Sequence, residues 1–411
     1  MQSRRIKSLP TALIWIASLA SAGAAEFGST GMTDDELQSL KASTARASDA
    51  PEGLKALSEE VERMFADREK PEAARMLASI ASGSRMGPTY GWFRPGQFLY
   101  DWQWLAAQHK VAADSPISRE TFSGPPEDYK RLDRNRDGKL EASDFDWSEN
   151  SNWVREAAVV NQVFRVMDRG RDSQVSRSEM REFFDAARGE SESFNPEDLR
   201  IMILGGGDDF APGDAPTPEQ LLKALFAGEI GSIHQGPDIG DPAPDFTLVT
   251  QDTDEPVTLS DAAANKPVVL VFGNFTCGPF RRSYPEVELL YQRYKDRVNF
   301  LAVYVREAHP EDGWHMASND TAGVKVVQPK TYDERHEVAG VCREKIGLTM
   351  PLLVDGIDDA VGHAYSGMPA RLYVIERGGK VAYKSGRGPY GFKTGELEQA
   401  LLLTLLADPD L

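Results

Sequence analysis

Cys277 stands in a stretch, "NFTCGPF", whose residue types and spacing could do thiol chemistry. The apolar run "VVLVFG" before it predicts a buried strand, and Pro279 predicts the first turn of a helix. A thiol at that junction lies at a helix N-terminus, where free N–H groups and the helix dipole stabilise a thiolate. Phe280 occupies the place of the second cysteine of a Cys-x-x-Cys motif. The pattern favours a working site with one sulfur over an inert buried cysteine.

A second stretch, "EAHPEDGW", places Glu307 two residues before His309, directly after another apolar run. An imidazole titrates near neutral pH and, when a carboxylate orients it, acts as a general acid. Alone, the two residues would be interpreted as a polar pair at the end of a strand. Paired with Cys277, they predict proton transfer beside a thiolate nucleophile.

Strands and helices alternate from about Pro237 to Leu411, which predicts an α/β sheet with helices on both faces. Met368-Pro369 comes just before the apolar run "ARLYVI". Thioredoxin-like folds carry a cis-proline at this place, packed against the active-site cysteine, so the sequence predicts a cis peptide bond at Pro369.

Together with "VYVR", "YDER" and "ARLYVIERGGKVAYKSGRGPYGF", these motifs resemble the iodothyronine deiodinase family over about residues 240–411. The resemblance implies a thioredoxin-like fold and reductive removal of a halide, with Cys277 in the place of the family's selenocysteine. It also implies that Glu307 and His309 are an acid–base pair. The catalytic set that it implies is Cys277, Glu307, His309, Thr276 and Tyr304, and the substrate-binding set is Arg371 and Pro369.

The chain departs from the family pattern at three positions. Cysteine replaces selenocysteine, which gives a harder nucleophile that is less ionised at neutral pH. "VVQPKTYDER" has Pro329 and no histidine where the family has one that clamps the substrate, and Asn274 stands where the family has a serine. The resemblance therefore implies the fold and the thiol chemistry more directly than the substrate.

Cys277 and Cys342 are the only two cysteines of the chain. Two cysteines in 411 residues exclude a disulfide scaffold. Cys342 falls in the helical pattern "DERHEVAGVCREKIG". It is either a small buried residue or a resolving thiol that forms a disulfide with Cys277 after oxidation.

Two segments ahead of the thiol region match EF-hand loops, "DRNRDGKLEASD" at 133–144 and "DRGRDSQVSRSE" at 168–179. Their starts are 35 residues apart, the interval of a paired EF-hand. The predicted calcium ligands are Asp133, Asn135, Asp137, the Lys139 carbonyl, Glu141 and Asp144 in the first loop, and Asp168, Asp172, the Gln174 carbonyl, Ser176 and Glu179 in the second. Asp144 replaces the usual glutamate and Ser173 the turn glycine, which predicts dissociation constants of roughly 0.1–1 mM. "ADSPISRETF", at 113–122, resembles a third hand with too few oxygen ligands to bind.

The net charge and the N-terminal sequence indicate the kind of partner and the cellular location of the protein. With 64 acidic and 46 basic residues the net charge is −18, which excludes nucleic acid as a main partner. The first residues, "MQSRRIKSLPTALIWIASLASAGAA", give a basic start, a short apolar run and small residues. This layout predicts a secretory signal peptide, export to the periplasm or the medium, and no stable membrane span in the mature chain.

The predicted architecture is multidomain, an α-helical N-terminal region with paired EF-hands followed by an α/β thioredoxin-like domain. Its parts are a signal peptide (1–25), a helical region (30–125), an EF-hand pair (126–190), a linker with a short helix (191–236) and the thioredoxin-like domain (237–411). The predicted function is that of an exported, calcium-binding thiol oxidoreductase. It would act on a small molecule and depend on an external thiol reductant. A thiol peroxidase and a non-catalytic, calcium-responsive binding protein are the alternatives.

Overall fold

The computed structural model describes residues 30–47, 51–82, 96–148, 151–204, 216–231, 233–388, 391–408 and 410. The predicted signal peptide lies outside these residues. Within them, no helix combines the length and the apolar composition that a membrane crossing requires.

The N-terminal half is largely helical. Its helices are α1 (Asp34–Ala47), α2 (Pro51–Met64), α3 (Glu72–Ala81), α4 (Trp102–Gln108), α5 (Pro126–Leu132), α6 (Asn152–Met167), α7 (Arg177–Arg188), α8 (Pro196–Leu204) and α9 (Pro218–Phe226), and its strands are β1 (Gln97–Phe98), β2 (Ile117–Ser118) and β3 (Lys139–Leu140). Helices α1, α2, α3 and α9 share one apolar core, to which Leu40, Leu77 and Leu222 contribute fully buried side chains. Helix α9 lies in the segment predicted as a linker, and Thr217 caps it by accepting a hydrogen bond from the Gln220 N–H.

The C-terminal half alternates strands and helices as predicted. Its strands are β4 (Thr247–Thr250), β5 (Pro256–Thr258), β6 (Val268–Gly273), β7 (Asn299–Tyr304), β8 (Leu352–Val354), β9 (Arg371–Ile375) and β10 (Val381–Lys384), and its helices are α10 (Leu259–Ala262), α11 (Gly278–Tyr294), α12 (Ala317–Thr321), α13 (Tyr332–Ile346), α14 (Ala360–Ala364) and α15 (Thr394–Ala407). The strand order is β1-β10-β9-β6-β7-β8-β4-β5. Strands β6, β7 and β8 are parallel, whereas β9 runs antiparallel to β6 and β10 antiparallel to β9. All six residues of β6 are buried, because a central strand of such a sheet is covered on both faces.

Residues 96–148 pack with the C-terminal sheet and share its core. Strand β1 adds to the edge of the sheet by pairing with β10, and Trp102 and Leu132 are buried in the same apolar cluster as β6. The Trp147 indole N–H donates to the Gln399 side chain of α15 over 2.8 Å. The first predicted calcium loop is therefore seated directly on the α/β domain.

Strand β3 of the first predicted calcium loop, Lys139–Leu140, pairs antiparallel with strand β2, Ile117–Ser118. Ile117 and Leu140 are both fully buried. The stretch interpreted as a decayed third hand is thus the structural partner of the first loop. Both predicted loops lie within the described residues, and no ladder joins them there. The reason is that Ile117 brings its segment into the main core, while α6, α7 and α8 pack on one another.

Glu72, the first residue of α3, joins the helical region to the α/β domain. Its carboxylate binds Arg371 of β9 at 3.1 Å and Arg387 at 3.3 Å. Both guanidinium side chains are buried, with exposures of 3% and 0%. Burial alone would raise the pKa of Glu72, but the nearby charges of Arg371, Arg387 and Lys384 outweigh burial and lower it to about 2.

The substitution Glu72→Gln is expected to lower the free energy of unfolding at pH 7 by about 3 kcal/mol, because it leaves two buried guanidinium groups without their counter-charge. Urea denaturation measures this loss. The native carboxylate has a pKa of about 2 against an ordinary value of 4.5. Its stabilising effect is therefore complete above pH 4.5 and is lost as the pH falls towards 2.

Glu69→Gln is the matched control. This carboxylate lies 3.7 Å from Arg75 and its side chain is 67% exposed, so the change is expected to cost under about 1 kcal/mol. Equal losses in the two variants would contradict a specific role for Glu72.

Candidate active site

Parallel strands β6 and β7 end side by side, with Gly273 opposite Tyr304. The segments that follow them therefore meet at one edge of the sheet. Cys277 follows β6 and is the N-cap of α11, with Pro279 in the first helical turn. Glu307 and His309 follow β7. The structure thus brings together the two motifs that the sequence singled out.

A buried hydrogen-bond network connects Glu307 to the residues around the thiol. The Thr276 N–H and hydroxyl donate to one Glu307 carboxylate oxygen over 2.9 and 2.7 Å. The Tyr304 hydroxyl donates to the other oxygen and accepts the Phe275 N–H at 3.1 Å. Glu307 is 1% exposed, and burial raises its pKa. The side chains of Thr276, Tyr304 and Glu307 form one unit.

His309 joins this unit through its backbone. Its N–H donates to the Thr276 hydroxyl oxygen at 3.0 Å, so Thr276 links Glu307 to His309. The ring Nδ1 lies 3.1 Å from the Trp314 carbonyl oxygen. A carbonyl only accepts, so Nδ1 carries a hydrogen, and a proton that the neutral ring gains goes to Nε2. The carbonyl of Trp314 therefore orients the imidazole, a role that the sequence had suggested for the Glu307 carboxylate.

Asn274 ties three segments of the site together. Its side-chain oxygen accepts the N–H groups of Cys277 at 3.0 Å and Ala308 at 3.2 Å. Its amide nitrogen donates to the Pro369 carbonyl at 3.0 Å. The residue is fully buried. In the sequence, Asn274 stands out only as a departure from the family pattern. The available signal was a polar amide directly after a wholly apolar strand.

The predicted cis peptide bond between Met368 and Pro369 is confirmed. Two residues later, Arg371 is 2% exposed and is bound by Glu72 and by the Ser385 carbonyl oxygen at 3.1 Å. A cavity of about 490 Å³ borders Glu72, Arg371 and Lys384. Burial, with a contribution from the charge of Arg371, lowers the pKa of Lys384 to about 8. Arg371, which the sequence predicted to bind substrate, thus lies beside a cavity, and its guanidinium group already forms a salt bridge with Glu72.

The thiol of Cys277 is less acidic than its place in the chain suggested. Burial raises its pKa to about 11 and outweighs the Phe280 N–H and the charges of Arg281 and Arg282, which lower it. The sequence predicted a stabilised thiolate; the structure corrects this, because the side chain is only 1% exposed. Cys342 in α13 is also buried and unbridged.

The predicted calcium loops have carboxylates of the right type in another arrangement. Both oxygens of Asp144 accept backbone N–H groups, from Arg134 and from Glu141, each at 3.0 Å. In the second loop Glu179 accepts the N–H groups of Gly170 and Ser176, each at 2.8 Å. Among the residues that the structure describes, no three His, Cys, Asp or Glu side chains are grouped closely enough to hold a metal ion. The carboxylates at the twelfth position of each loop, Asp144 and Glu179, thus accept backbone N–H groups of their own loops.

The strand order, the cis-proline and the thiol at the start of α11 define a thioredoxin-like protein with a single sulfur in its motif. The family model described as iodothyronine deiodinase matches residues 217–403. A thyroxine 5-deiodinase from Gallus gallus is 34% identical over 203 residues, which cover 47% of this chain and 77% of that relative. The enzyme of the same name from Homo sapiens is 32% identical over 207 residues, 48% of this chain and 66% of the relative. The chain belongs to the iodothyronine deiodinase family and is a deiodinase-like oxidoreductase.

Solved structures also match part of the chain. The thioredoxin domain of a thiol-disulfide oxidoreductase from Bacteroides vulgatus is 17% identical, with a TM-score of 0.29, and covers 42% of this chain and 98% of that domain.

The substitution Asn274→Asp is expected to lower the free energy of unfolding by about 2 kcal/mol, because it sets a buried carboxylate against the Pro369 carbonyl oxygen. Urea denaturation at pH 7 measures the change. Asn299→Asp is the control, since its amide also donates to a carbonyl, that of Ala262 at 2.8 Å, but it is only half-buried at the far end of β7. An equal loss of stability in both variants would show that the Asn274 side chain does not specifically hold together the segments that contain Cys277, Ala308 and Pro369.

Proposed function

We propose that this protein is an exported thiol oxidoreductase that reductively removes a halide from a small aromatic molecule, with Cys277 as the nucleophile. Membership of the deiodinase family supports the reaction class. The observation that carries the proposal is the set of hydrogen bonds made by the Asn274 and Thr276 side chains. Asn274 accepts the N–H groups of Cys277 and Ala308, and Thr276 donates to Glu307 and accepts the His309 N–H, which holds the thiol segment against the Glu307–His309 segment. The sequence of the N-terminus supports export.

The proposed reaction begins with attack of the Cys277 thiolate on the halogen. The sulfur–halogen bond forms, the carbon–halogen bond breaks with its electron pair on carbon, and His309 gives that carbon a proton. An external thiol then attacks the Cys277 sulfur, which releases halide and leaves a mixed disulfide. A second thiol restores Cys277 and leaves as the oxidised disulfide. The net change is replacement of halogen by hydrogen at the cost of two thiols.

Formation of the thiolate is the demanding step. Because burial raises the pKa of Cys277 to about 11, only a very small fraction of the thiol is ionised at pH 7. The Glu307–Thr276–Tyr304 unit lies beside the thiol, and we assign it to the movement of that proton. Arg371 and Pro369 are assigned to substrate binding, as the family resemblance implies. Arg371 borders the cavity of about 490 Å³, and the Pro369 carbonyl is joined to the thiol segment through the Asn274 amide.

Cys277→Ser is expected to lower thiol-dependent release of iodide from an iodinated phenol at least 100-fold, because a hydroxyl is a poor nucleophile for halogen. Release of iodide with excess dithiothreitol measures the activity. Cys342→Ser is the control and keeps the activity, since the external thiol regenerates the enzyme. Iodide release that survives in Cys277→Ser would refute the proposed nucleophile.

Peroxide consumption is measured in parallel on the same variants. Consumption that depends on Cys277, with no release of iodide, would favour a thiol peroxidase. No activity in either assay, together with an ordinary thiol, would favour a non-catalytic binding protein.

We also propose that the two loops at 133–144 and 168–179 bind calcium weakly. Binding would require Asp144 and Glu179 to leave their backbone partners, which lowers the affinity. The supporting observation is the first loop itself, in which Asp133 accepts the Gly138 N–H at 3.0 Å and so holds the turn at the glycine.

Calorimetric titration with calcium is expected to give dissociation constants of roughly 0.1–1 mM. Asp133→Asn is expected to weaken the binding at the first loop. Asp146→Asn, an exposed carboxylate just outside that loop, serves as the control and leaves it unchanged. The absence of heat at millimolar calcium would remove calcium from the proposed function.

A further inference from the structure

Arg281 lies one turn into α11, four residues after Cys277. Side chains on a helix lean towards its N-terminus, and residues four apart lie on the same face. The Arg281 side chain therefore runs back beside Cys277. One of its guanidinium nitrogens reaches as far as the Phe275 carbonyl oxygen, two residues before the thiol. The charged group thus lies along the loop that carries the sulfur.

Asn319 in α12 fixes the other side of the guanidinium group. Its side-chain oxygen accepts from Arg281 at 2.8 Å, while its amide nitrogen donates to the Thr276 carbonyl at 3.0 Å. Asn319 is 2% exposed. Arg281 is therefore clamped between Phe275 and Asn319, and both groups are tied to the loop from Phe275 to Cys277.

Both acceptors of the Arg281 guanidinium are neutral, so they do not cancel its charge. Burial of a charged group costs free energy, and burial lowers the pKa of Arg281. That cost is offset when a negative charge forms nearby, and the Cys277 sulfur is the group in this loop that can carry one.

The ionisable groups around Cys277 come from three elements. Arg281 and Arg282 lie on α11, Glu307 follows β7, and Cys342 lies on α13. Among these, the two arginines lower the pKa of Cys277, and Glu307 raises it. Arg282 is exposed, whereas Arg281 is held in place by two hydrogen bonds.

We propose that the Arg281 guanidinium is the fixed counter-charge of the Cys277 thiolate, and that Asn319 is the residue that positions it. The proposal rests on the proposed function only in taking Cys277 as the reacting thiol. In this proposal the Arg281 charge stabilises the Cys277 thiolate, whereas burial of the side chain disfavours the thiolate.

The test is the rate of alkylation of Cys277 by iodoacetamide from pH 7 to 12, followed by mass spectrometry on a Cys342→Ser background, where Cys277 is the single thiol. Arg281→Met is expected to lower the rate at pH 8 at least tenfold and to move the midpoint of the pH profile upwards. Arg281→Lys, which keeps the charge, is expected to recover most of the rate. Asn319→Ala is expected to shift the midpoint in the same direction as Arg281→Met, but by less.

Arg282→Met is the matched control and is expected to change the rate less than threefold. Circular dichroism of each variant establishes that it is folded. An unchanged pH profile in Arg281→Met would overturn the proposal, and so would equal losses in Arg281→Lys and Arg281→Met. Alkylation needs no substrate, so a failed dehalogenation assay with the expected alkylation profiles would refute the proposed function alone.

Discussion

The hydrogen bonds of Asn274 are the constraint on which the candidate site depends. This buried amide follows the central strand β6 and accepts N–H groups from Cys277 and Ala308, while it donates to Pro369. These three residues come from segments that are distant in sequence. Their relative positions are set by one side chain that cannot turn towards water to satisfy its bonds. Thr276 extends the same arrangement to Glu307 and His309.

Burial has opposite consequences for the structure and for the chemistry. It strengthens the polar network around Glu307, because unpaired groups there would be costly. It also disfavours the charged form of Cys277, and raises its pKa to about 11. A helix N-terminus is therefore not sufficient to activate a thiol when the side chain has no contact with water. A fixed cation such as Arg281 acts on the sulfur without admitting solvent.

The helical region outside the family match is closely connected to this domain. Glu72 forms salt bridges with two buried arginines, and Trp314 at the end of "EAHPEDGW" packs against the core of α1, α2, α3 and α9. The Trp314 carbonyl also orients His309. Trp314, whose carbonyl positions the imidazole, is thus itself packed against the helical region. A change in that region can therefore alter the orientation of His309 through Trp314.

The expectation of a thioredoxin-like fold supplied the cis-proline at Pro369, and local sequence patterns were sufficient to place the strand before Cys277 and the helix after it. They succeeded because apolar runs, proline and chain direction act over a few residues. The resemblance to the deiodinase family grouped Cys277 with Glu307 and His309, and the structure gives the reason that they meet: the parallel strands β6 and β7 end at one edge of the sheet. Only the tertiary structure decided which groups touch: that Asn274 is the tie, that Trp314 rather than Glu307 holds the imidazole, and that Ile117 pairs with the first calcium loop. Only the tertiary structure, too, decided the acidity of Cys277, because the pKa of a thiol depends on the water and charge that all packed segments together leave around it.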